Sequence, residues 1–452
     1  MESYKFILQH LEKLKNDFFL FLSENHKGIL WHKPTLSLYT LDEQNTNFFR
    51  TILYNNLHQI RNTLSELLIG HPELENTIKE LKMLLQKNVV STKSVDRLAL
   101  LISQECPLNC IYCYANGGTY EEGGLMDITV LERAINVFYR VYGTIRTIQL
   151  FGGEPLLNIK AIRRVIELLK EKVEKEEIAS LPKISLETGL GVSKNKVEEL
   201  VQLLEDNSLF EFEIVVSFDG PAKIQNLQRP FKNGNPSYEM VVENLNILKI
   251  VNQPKAIETT YTRKHSELGI THQYLKDFFT DKFGIKNVLI RPVMSKCREL
   301  LVESDQNLED LKIVVESSLE SDDKVKEYLG ILLNSDPTEY YCGAGISSFA
   351  VSTSGYIYPC QLVVGDKRFA FGNIKNSFEE IVQKLKEMEN RYRVLNSKAN
   401  DELCKKCFLE YFCEGCVFKL YYLGESIDAA IPHDYCKQTK ELVTQLFNKA
   451  IY

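Results

Sequence analysis

The stretch Ser103-Gln-Glu-Cys-Pro-Leu-Asn-Cys-Ile-Tyr-Cys-Tyr114 concentrates three cysteines in one short loop. Cys106, Cys110 and Cys113 have the spacing C-x3-C-x2-C. Thiolates at this spacing can surround one metal centre, and soft sulfur ligands suit zinc or iron–sulfur clusters. A structural zinc site normally has a fourth Cys or His nearby, whereas the next histidine along the chain is His265. The spacing therefore favours a four-iron cluster with one iron left open to a small molecule that carries an amine and a carboxylate.

A regular alternation of apolar runs and amphipathic stretches surrounds this loop and continues for about six repeats. The predicted strands are Leu98–Ile102, Thr147–Phe151, Lys183–Glu187, Glu213–Phe218, Ala256–Thr262 and Asn287–Pro292. The predicted helices include Ile128–Tyr142, Ile159–Glu177, Lys194–Glu205, Tyr238–Val251 and Thr271–Phe283. Repeated strand–helix units predict an α/β fold with a parallel sheet, either rolled or doubly wound.

The distinctive polar and glycine-rich motifs all follow predicted strands. The cysteine loop follows the first strand, and the next three motifs are Gly152-Gly153-Glu154-Pro155, Thr188-Gly189 and Ser217-Phe218-Asp219-Gly220-Pro221. The working site of a parallel α/β sheet lies beyond the carboxyl ends of its strands. These motifs are therefore predicted to form one composite site.

Bulk properties exclude several classes of function. The chain has 452 residues, 44% hydrophobic and 25% charged, which is ordinary for a soluble globular protein. Its net charge of −7 provides no basic field, so we expect no nucleic-acid partner. No apolar run is long enough to span a bilayer, and the N-terminus Met1-Glu-Ser-Tyr-Lys-Phe6 does not resemble a signal peptide. We therefore expect a cytoplasmic protein without membrane partners, in which 11 cysteines indicate metal binding rather than disulfides.

The cysteine loop, which continues into Tyr114, and the Gly-Gly-Glu-Pro motif resemble the signatures of radical S-adenosylmethionine (SAM) enzymes over residues 96–300. This resemblance implies a partial (β/α)6 TIM-like barrel in which the three loop cysteines are catalytic. They would hold a [4Fe-4S] cluster that binds SAM and reductively cleaves it to a 5′-deoxyadenosyl radical. The implied SAM contacts are the backbone of Gly152, Gly153 and Glu154 for the amino group, Tyr112 in the loop near the adenine, and Ser217, Asp219 and Arg229 for the ribose or carboxylate. An ordinary turn or capping role is the alternative for the last three.

The C-terminal part, residues 336–452, contains seven further cysteines: Cys342, Cys360, Cys404, Cys407, Cys413, Cys416 and Cys436. With Gly355, they resemble the SPASM pattern C-x9–15-G-x4-C, a gap, C-x2-C-x5-C-x3-C, a gap and C. The resemblance implies two auxiliary [4Fe-4S] clusters and therefore three clusters in all. It assigns Cys404, Cys407, Cys413 and Cys436 to a distal cluster, and Cys342, Cys360 and Cys416 to a proximal one. The loop before Cys416 is one residue shorter than the pattern.

Some relatives have an additional cysteine shortly before the position of Cys342, where this chain has Asp336-Pro-Thr-Glu-Tyr-Tyr341. The proximal cluster would then have an open iron, at which we expect a substrate cysteine thiolate to bind and be deprotonated. A protein oxygen, for example of Asp336, or water is the alternative ligand. Cys297 either faces the site or, as is commoner for a single cysteine, is a buried inert thiol.

Residues 1–95 are predicted to form a separate module. Apolar spacing predicts a helix over 5–23, strands near 28–31 and 36–41, and helices over 49–68 and 74–86. The order of elements resembles the winged-helix-like module with which radical SAM peptide maturases bind a leader peptide by strand addition. A dimerisation or core-capping role is the alternative. Residues 301–335 are predicted to be linker helices.

The stretch Tyr114–Met126 is similar to the corresponding stretch of maturases that install cysteine thioethers, of the sactipeptide and ranthipeptide types. The resemblance implies an oxidoreductase that crosslinks a Cys sulfur to a carbon in a ribosomally synthesised, Cys-rich precursor peptide with a leader. A reductant such as flavodoxin or ferredoxin would supply electrons. The alternatives are formylglycine generation, epimerisation or carbon–carbon crosslinking, and, in a different class, a non-catalytic electron-transfer or zinc protein.

Overall fold

The structure is a computed structural model that describes residues 2–22, 28–86, 94–295, 297–302, 322–418 and 434–450. The predicted linker 301–335 thus lies partly outside the described residues. Within them, none of the helices combines the length and the apolar character needed to cross a membrane.

The centre of the molecule is an eight-stranded sheet with the order β11-β10-β4-β5-β6-β7-β8-β9. Its strands are β4 (Val95–Ser103), β5 (Ile145–Gly152), β6 (Lys183–Thr188), β7 (Phe212–Ser217), β8 (Ala256–Tyr261), β9 (Val288–Pro292), β10 (Ser348–Val351) and β11 (Ile357–Tyr358). All six predicted strands are present, and β4 to β9 pair in parallel in chain order, which confirms the α/β prediction. β10 pairs in parallel with β4, and β11 pairs antiparallel with β10. The sequence did not predict these two strands, which belong to the C-terminal part, because they are too short to show a period.

Helices follow the strands of the sheet and pack against it. They are α6 (Ile128–Tyr142), α7 (Ile159–Glu174), α8 (Lys194–Glu205), α9 (Ala222–Gln228), α10 (Tyr238–Leu248), α11 (Arg263–Glu267) and α12 (His272–Phe283). The Asp127 side chain accepts a hydrogen bond from the Thr129 N–H and caps α6, and Asn158 caps α7 in the same way. β4 is nearly continuously buried, as expected of a strand covered on both faces. These elements share one hydrophobic core that holds the carboxyl edge of the sheet in place.

The N-terminal module has a three-stranded antiparallel sheet with the order β1-β2-β3. Its elements are α1 (Glu2–Gln9), α2 (Leu11–Asp17), β1 (Phe18–Leu22), β2 (Gly28–His32), β3 (Ser37–Leu41), α3 (Glu43–Tyr54), α4 (Leu57–Gly70) and α5 (Leu74–Leu84). The prediction of one helix over 5–23 is wrong at its end, because residues 18–22 form an edge strand. In β1, Phe18 packs towards Phe49, whereas Phe19 and Phe21 contact Phe408 of the C-terminal part, so both faces of the strand are used. The winged-helix arrangement stays a prediction.

The remaining helices lie in the C-terminal part: α13 (Asp322–Leu333), α14 (Phe378–Leu395), α15 (Glu402–Lys405) and α16 (Asp434–Ala450). One face of the N-terminal sheet is buried against this part. The indole N–H of Trp31 donates to the Phe408 carbonyl at 2.7 Å, and its ring lies 5.3 Å from that of Phe447. The ammonium of Lys33 lies 2.6 Å from a carboxylate oxygen of Glu410. The N-terminal module therefore supports the cysteine-bearing loop 404–413.

Candidate active site

A single cavity of about 860 Å³ lies between the carboxyl edge of the sheet and the C-terminal cysteine loops. This size is that of a typical small-molecule site. Motifs that follow four successive strands line it, namely the cysteine loop, Gly152-Gly153, Thr188-Gly189 and Ser217. The cysteines that line it are Cys106, Cys110, Cys113, Cys404, Cys407, Cys413, Cys416 and Cys436. The structure thus brings the predicted composite site and five of the seven C-terminal cysteines to one cavity, whereas Cys342 and Cys360 do not line it.

The Gly-Gly-Glu motif is packed directly against the cysteine loop. The amide of Gly153 donates to Ser103 O at 2.7 Å, and that of Glu154 donates to Glu105 O at 2.8 Å. Gly152 has a φ of +136°, and a Cβ there would lie 2.0 Å from Ser103 O. Gly152 and Gly153 line the cavity, and the Gly152 carbonyl accepts a hydrogen bond from the Tyr120 hydroxyl at 3.4 Å. The contact of this stretch with the SAM amino group stays a prediction.

The side chain of Glu154 points away from the cavity and is completely buried. Its carboxylate accepts hydrogen bonds from the Thr188 hydroxyl at 2.7 Å, the Gly189 amide at 3.0 Å and the Leu156 amide at 3.2 Å. Burial raises the pKa of Glu154 to about 7, although these hydrogen bonds and the charge of Arg229 oppose the rise. Glu154 therefore connects the carboxyl ends of β5 and β6.

Asp219 connects the cysteine loop to the third predicted group of SAM contacts. Its carboxylate accepts from the Tyr112 hydroxyl at 2.6 Å and the Gln228 amide at 2.9 Å, and it pairs with the Arg229 guanidinium at 3.2 Å. The Thr260 amide adds a fourth donor at 3.2 Å. Asp219 is completely buried, whereas Tyr112 and Arg229 line the cavity. We expected Asp219 itself as a candidate cofactor contact, but its oxygens are already occupied, so it orients its two neighbours instead.

The thiols form three groups. The first group is the cysteine loop, in which burial raises the pKa of Cys110 to about 11 and raises that of Cys106 further. The thiols of Cys110 and Cys113 also raise the pKa of Cys106. Burial also raises the pKa of Cys360 to about 12, with contributions from Cys342 and Cys416. Thiols of this kind stay protonated at neutral pH until a metal displaces the proton.

The distal group comprises Cys404, Cys407, Cys413 and Cys436. Burial raises the pKa of Cys413 to about 11, and the three other thiols of the group raise it further. Polar groups also approach the sulfur atoms: the Leu409 amide lies 3.4 Å from Cys407 Sγ, and the Tyr341 hydroxyl lies 3.2 Å from Cys404 Sγ. Such contacts stabilise sulfur ligands of a cluster.

The spacing of these groups bears on the choice between zinc and an iron–sulfur cluster. In the part of the chain that the structure describes, no three Cys, His, Asp or Glu side chains converge as ligands of one ion would. The thiols of Cys106, Cys110 and Cys113 all line one cavity, which has room for a centre larger than a single ion, as a multi-iron cluster is. The ligand assignments of the individual cysteines stay predictions.

Two residues singled out in the sequence lie away from the cavity. Asp336 is exposed and pairs with Arg146 at 3.5 Å, so it is not placed to act as a ligand of the proximal group. Cys297 is exposed and does not line the cavity, which contradicts both alternatives considered for it.

Charged side chains on the inner face of the sheet were missed by the sequence reasoning. Arg97, Glu187, Glu258 and Arg291 line the cavity, although each lies in a strand rather than in a loop motif. A signal was present in β6, where Lys183-Ile-Ser-Leu-Glu-Thr188 alternates polar and apolar residues within an otherwise buried parallel sheet.

Three relatives share sequence with this chain. An uncharacterised protein of Methanocaldococcus jannaschii is 30% identical over 206 residues, which are 45% of this chain and 65% of that protein, slightly less than two thirds of its length. The radical SAM cyclopropyl synthase TigE of Paramaledivibacter caminithermalis is 24% identical over 76% of this chain and 72% of its own. A cysteine-type anaerobic sulfatase-maturating enzyme of Clostridium perfringens is 24% identical over 78% of this chain and 97% of its own.

The solved structures that share the fold include the following two. Native anSMEcpe with bound AdoMet superposes with a TM-score of 0.61 at 21% identity, covering 78% of this chain and 98% of that chain. Streptococcus suis SuiB bound to S-adenosylmethionine superposes with a TM-score of 0.50 at 17% identity, covering 92% and 98%. At these identities the likeness concerns the fold.

Two family models match the parts of the chain that form the cavity. Residues 100–267, which contain the cysteine loop and most of the parallel sheet, match the Radical SAM superfamily. Residues 342–408 match SPASM, an iron–sulfur cluster-binding domain. The chain therefore contains a radical SAM domain, over residues 100–267, and a SPASM domain, over residues 342–408.

Proposed function

We propose that this protein is a peptide maturase that forms a thioether between a cysteine sulfur and a carbon of a precursor peptide. The observation that carries the proposal is one cavity of about 860 Å³, which is lined by the radical SAM loop, by the four distal cysteines and, from the proximal group, by Cys416. A substrate held there would lie against the loop thiols, the distal thiols and the Cys416 thiol at once. A reductant such as flavodoxin or ferredoxin would deliver the electron that starts the reaction.

The residues of the chain have distinct roles in this proposal. Cys106, Cys110 and Cys113 would hold the cluster that binds SAM, and the carbonyls of Gly152–Gly153 would accept from the SAM amino group. Tyr112 and Arg229 would orient SAM, since Asp219 fixes both side chains. When bound, the cofactors supply a 5′-deoxyadenosyl radical and, in the auxiliary clusters, an electron acceptor.

A peptide substrate is supported by the relatives. The sulfatase-maturating enzyme is similar over 97% of its length, and a further anSMEcpe structure with a TM-score of 0.59 holds AdoMet and the peptide Cp18Cys. The cavity of this chain also has a mixed lining, with apolar Leu362, Val293 and Met294 beside charged Arg97 and Glu187. Such a lining can receive a peptide segment that contains both apolar and polar side chains.

The thioether itself is supported by the proximal group, in which Cys360 interacts with the two thiols of Cys342 and Cys416. Three ligands on a four-iron cluster leave a position for a substrate thiol. In the net reaction one S–H and one C–H bond break and one S–C bond forms. The peptide loses a hydrogen atom to the deoxyadenosyl radical, a proton to a base and an electron to an auxiliary cluster, so the product is lighter by two hydrogens.

Formylglycine generation is the second candidate, because the sulfatase-maturating enzyme and the anSMEcpe structure cover most of this chain. The two candidates differ in the fate of sulfur. A thioether keeps the sulfur in the peptide and removes one alkylatable thiol, whereas formylglycine formation from cysteine releases the sulfur.

The test is anaerobic reconstitution followed by incubation with SAM, a strong reductant and synthetic Cys-rich peptides, and analysis of the peptide by mass spectrometry. We expect a loss of two hydrogens and of one alkylatable thiol, together with 5′-deoxyadenosine. Cys342→Ala should abolish the crosslink but still release deoxyadenosine. The matched control is Cys297→Ala, because that thiol is exposed and lies outside the cavity. A peptide product that has lost sulfur would contradict thioether formation and would support formylglycine generation instead.

A further inference from the structure

Each of the six strands β4 to β9 contributes polar side chains to the inner face of the parallel sheet, and six of these side chains, one from each strand, form a row. In a parallel ladder, paired residues share a face, and residues two apart along a strand share it too. The registers of the sheet therefore place these six side chains on one face: Arg97, Gln149, Glu187, Ser217, Glu258 and Arg291. All of them except Gln149 line the cavity. A buried parallel sheet rarely carries such a row unless the row contacts a ligand, because unpaired polar groups are costly to bury.

A chain of three hydrogen bonds runs from this row to Gln361, whose side-chain oxygen lies beside the sulfur atom of Cys360. Glu187 Oε1 accepts from Gln149 Nε2 at 2.7 Å, and Gln149 Oε1 accepts from Arg97 Nη1 at 3.2 Å. Arg97 Nη2 then donates to Gln361 Oε1 at 3.0 Å, and the same oxygen lies 3.2 Å from Cys360 Sγ. Four contacts thus connect a carboxyl group in the cavity to a predicted cluster ligand.

The electrostatics follow the same path. Burial is the main cause that raises the pKa of Glu187 to about 7, and the neighbouring charge of Glu258 raises it further. Arg97, the hydrogen bond from Gln149, and Arg291 oppose the rise. Tyr114 also faces Glu187, and the Arg97 charge acts on Cys360, whose pKa it lowers. Arg97 therefore interacts with both ends of the chain.

Two other carboxyl groups near the site, Glu154 and Asp219, are less suited to exchange a proton with a substrate. Both are completely buried and do not line the cavity, and each carboxylate accepts three hydrogen bonds, while that of Asp219 also pairs with Arg229. Glu187 faces the cavity and accepts one hydrogen bond, from Gln149. A general base is most effective when its pKa lies near the working pH.

We propose that Glu187 is the proton acceptor of the cavity, and that the Gln149–Arg97–Gln361 chain couples its protonation to electron uptake at the auxiliary cluster bound by Cys360. The proposal deepens the function proposed above and depends on it for the identity of the substrate. In thioether formation with the cofactors bound, the substrate thiol would give its proton to Glu187. The hydrogen of the substrate C–H bond would go to the deoxyadenosyl radical, and the remaining electron would go to the auxiliary cluster as the S–C bond forms. Glu187 returns the proton to solvent when the cluster is reoxidised.

The first test needs no peptide. The reduction potentials of the reconstituted holoenzyme are measured by EPR-monitored titration at pH 6, 7 and 8, and the proximal signal is identified by its loss in Cys342→Ala. We expect the potential of this cluster to fall as the pH rises through about 7, by at most a tenfold change in the reduction equilibrium per pH unit. In Glu187→Gln the dependence should disappear. In Glu258→Gln the pH range over which the potential changes should move to lower pH. The reason is that the negative charge of Glu258, which raises the pKa of Glu187, is removed. A potential that is independent of pH in the wild type, or equally dependent on pH in Glu187→Gln, overturns the coupling.

The second test uses a synthetic Cys-rich peptide that the wild-type enzyme modifies. In Glu187→Gln we expect the product formed per deoxyadenosine to fall by roughly 100-fold, while iron content is kept and deoxyadenosine is still released. An unchanged ratio would show that Glu187 does not accept the proton. The mass of the wild-type product separately tests the thioether. A different peptide product would contradict the proposed function, while the redox titration would still decide the role of Glu187.

Discussion

Removing the Lys33 ammonium tests whether the N-terminal module supports the distal cysteine loop. The side chain of Lys33 is fully buried and that of Glu410 is 9% exposed, and their charged atoms are 2.6 Å apart. Lys33 also donates to the Lys405 carbonyl at 2.8 Å. Glu410 lies between Cys407 and Cys413, which are predicted ligands of the distal cluster. The change Lys33→Met therefore leaves a buried carboxylate without its partner inside the loop that must hold the cluster.

The magnitude follows from this burial. Breaking a buried ion pair by removing one partner costs about 3–5 kcal/mol, because the remaining charge stays desolvated. At about 1.4 kcal/mol per tenfold change, the equilibrium constant for displacing the loop rises by about two to three and a half orders of magnitude. A fully loaded chain would bind about 12 irons in three four-iron clusters. We expect Lys33→Met to retain about 8 irons after reconstitution, with loss of the distal EPR signal.

Two further variants make the result specific. Lys405→Met removes the same type of side chain from the same loop, but its pair with Glu402 is exposed, at 44% and 73%, and should contribute little. Lys33→Met combined with Glu410→Leu replaces both charges by apolar groups and should regain iron relative to Lys33→Met alone. The reasoning is refuted if Lys33→Met keeps full iron and the distal signal, or if Lys405→Met loses the same amount.

Two predictions concern the SAM site. In Gly153→Ala the added Cβ would lie 2.4 Å from Glu105 O. This steric overlap should displace the cysteine loop at a cost of about 1–3 kcal/mol. We therefore expect the variant to lose both bound iron and the release of deoxyadenosine. Gly70→Ala, where nothing lies within 4 Å of the added carbon, is the control, and equal behaviour of the two variants would contradict the packing argument. In Asp219→Asn the Arg229 guanidinium loses its charged partner, so we expect the Kd for SAM, measured by equilibrium dialysis of the loaded enzyme, to rise roughly tenfold. An unchanged Kd would show that Asp219 does not orient the SAM contacts.

The sequence predicted the parts of the fold that depend on local periodicity. The six parallel strands and the placement of motifs at their carboxyl ends follow from apolar runs and from the geometry of βα units. The cysteine loop and the Gly-Gly motif could be read because their chemistry needs fixed residue types at fixed spacing. The φ of +136° at Gly152 is one such requirement, which only glycine meets readily.

The rest depends on contacts between distant parts of the chain. Residues 18–22, Phe-Phe-Leu-Phe-Leu, are equally apolar in a helix or a strand, and their pairing with β2 and their contact with Phe408 decide the outcome. β10 joins the sheet only because β4 offers it an edge. Glu187 and Arg97 are separated by 90 positions in sequence, and only the sheet register places them on one face. The role of Asp219 in the site stays a prediction, and its burial, with hydrogen bonding to Tyr112 and pairing with Arg229, could not be predicted from a turn motif.

The central claim is that a radical generated at the Cys106–Cys113 loop acts on a peptide held in the shared cavity. Its most direct test is hydrogen transfer from a synthetic Cys-rich peptide deuterated at its non-exchangeable carbon positions, incubated with the iron-loaded enzyme, SAM and a strong reductant. We predict deuterium in the released 5′-deoxyadenosine and a peptide product that has lost one deuterium, one thiol hydrogen and one alkylatable thiol. Neither should form with Cys106→Ala. Deoxyadenosine without deuterium beside an altered peptide, or no SAM cleavage by the fully loaded enzyme, would contradict the account.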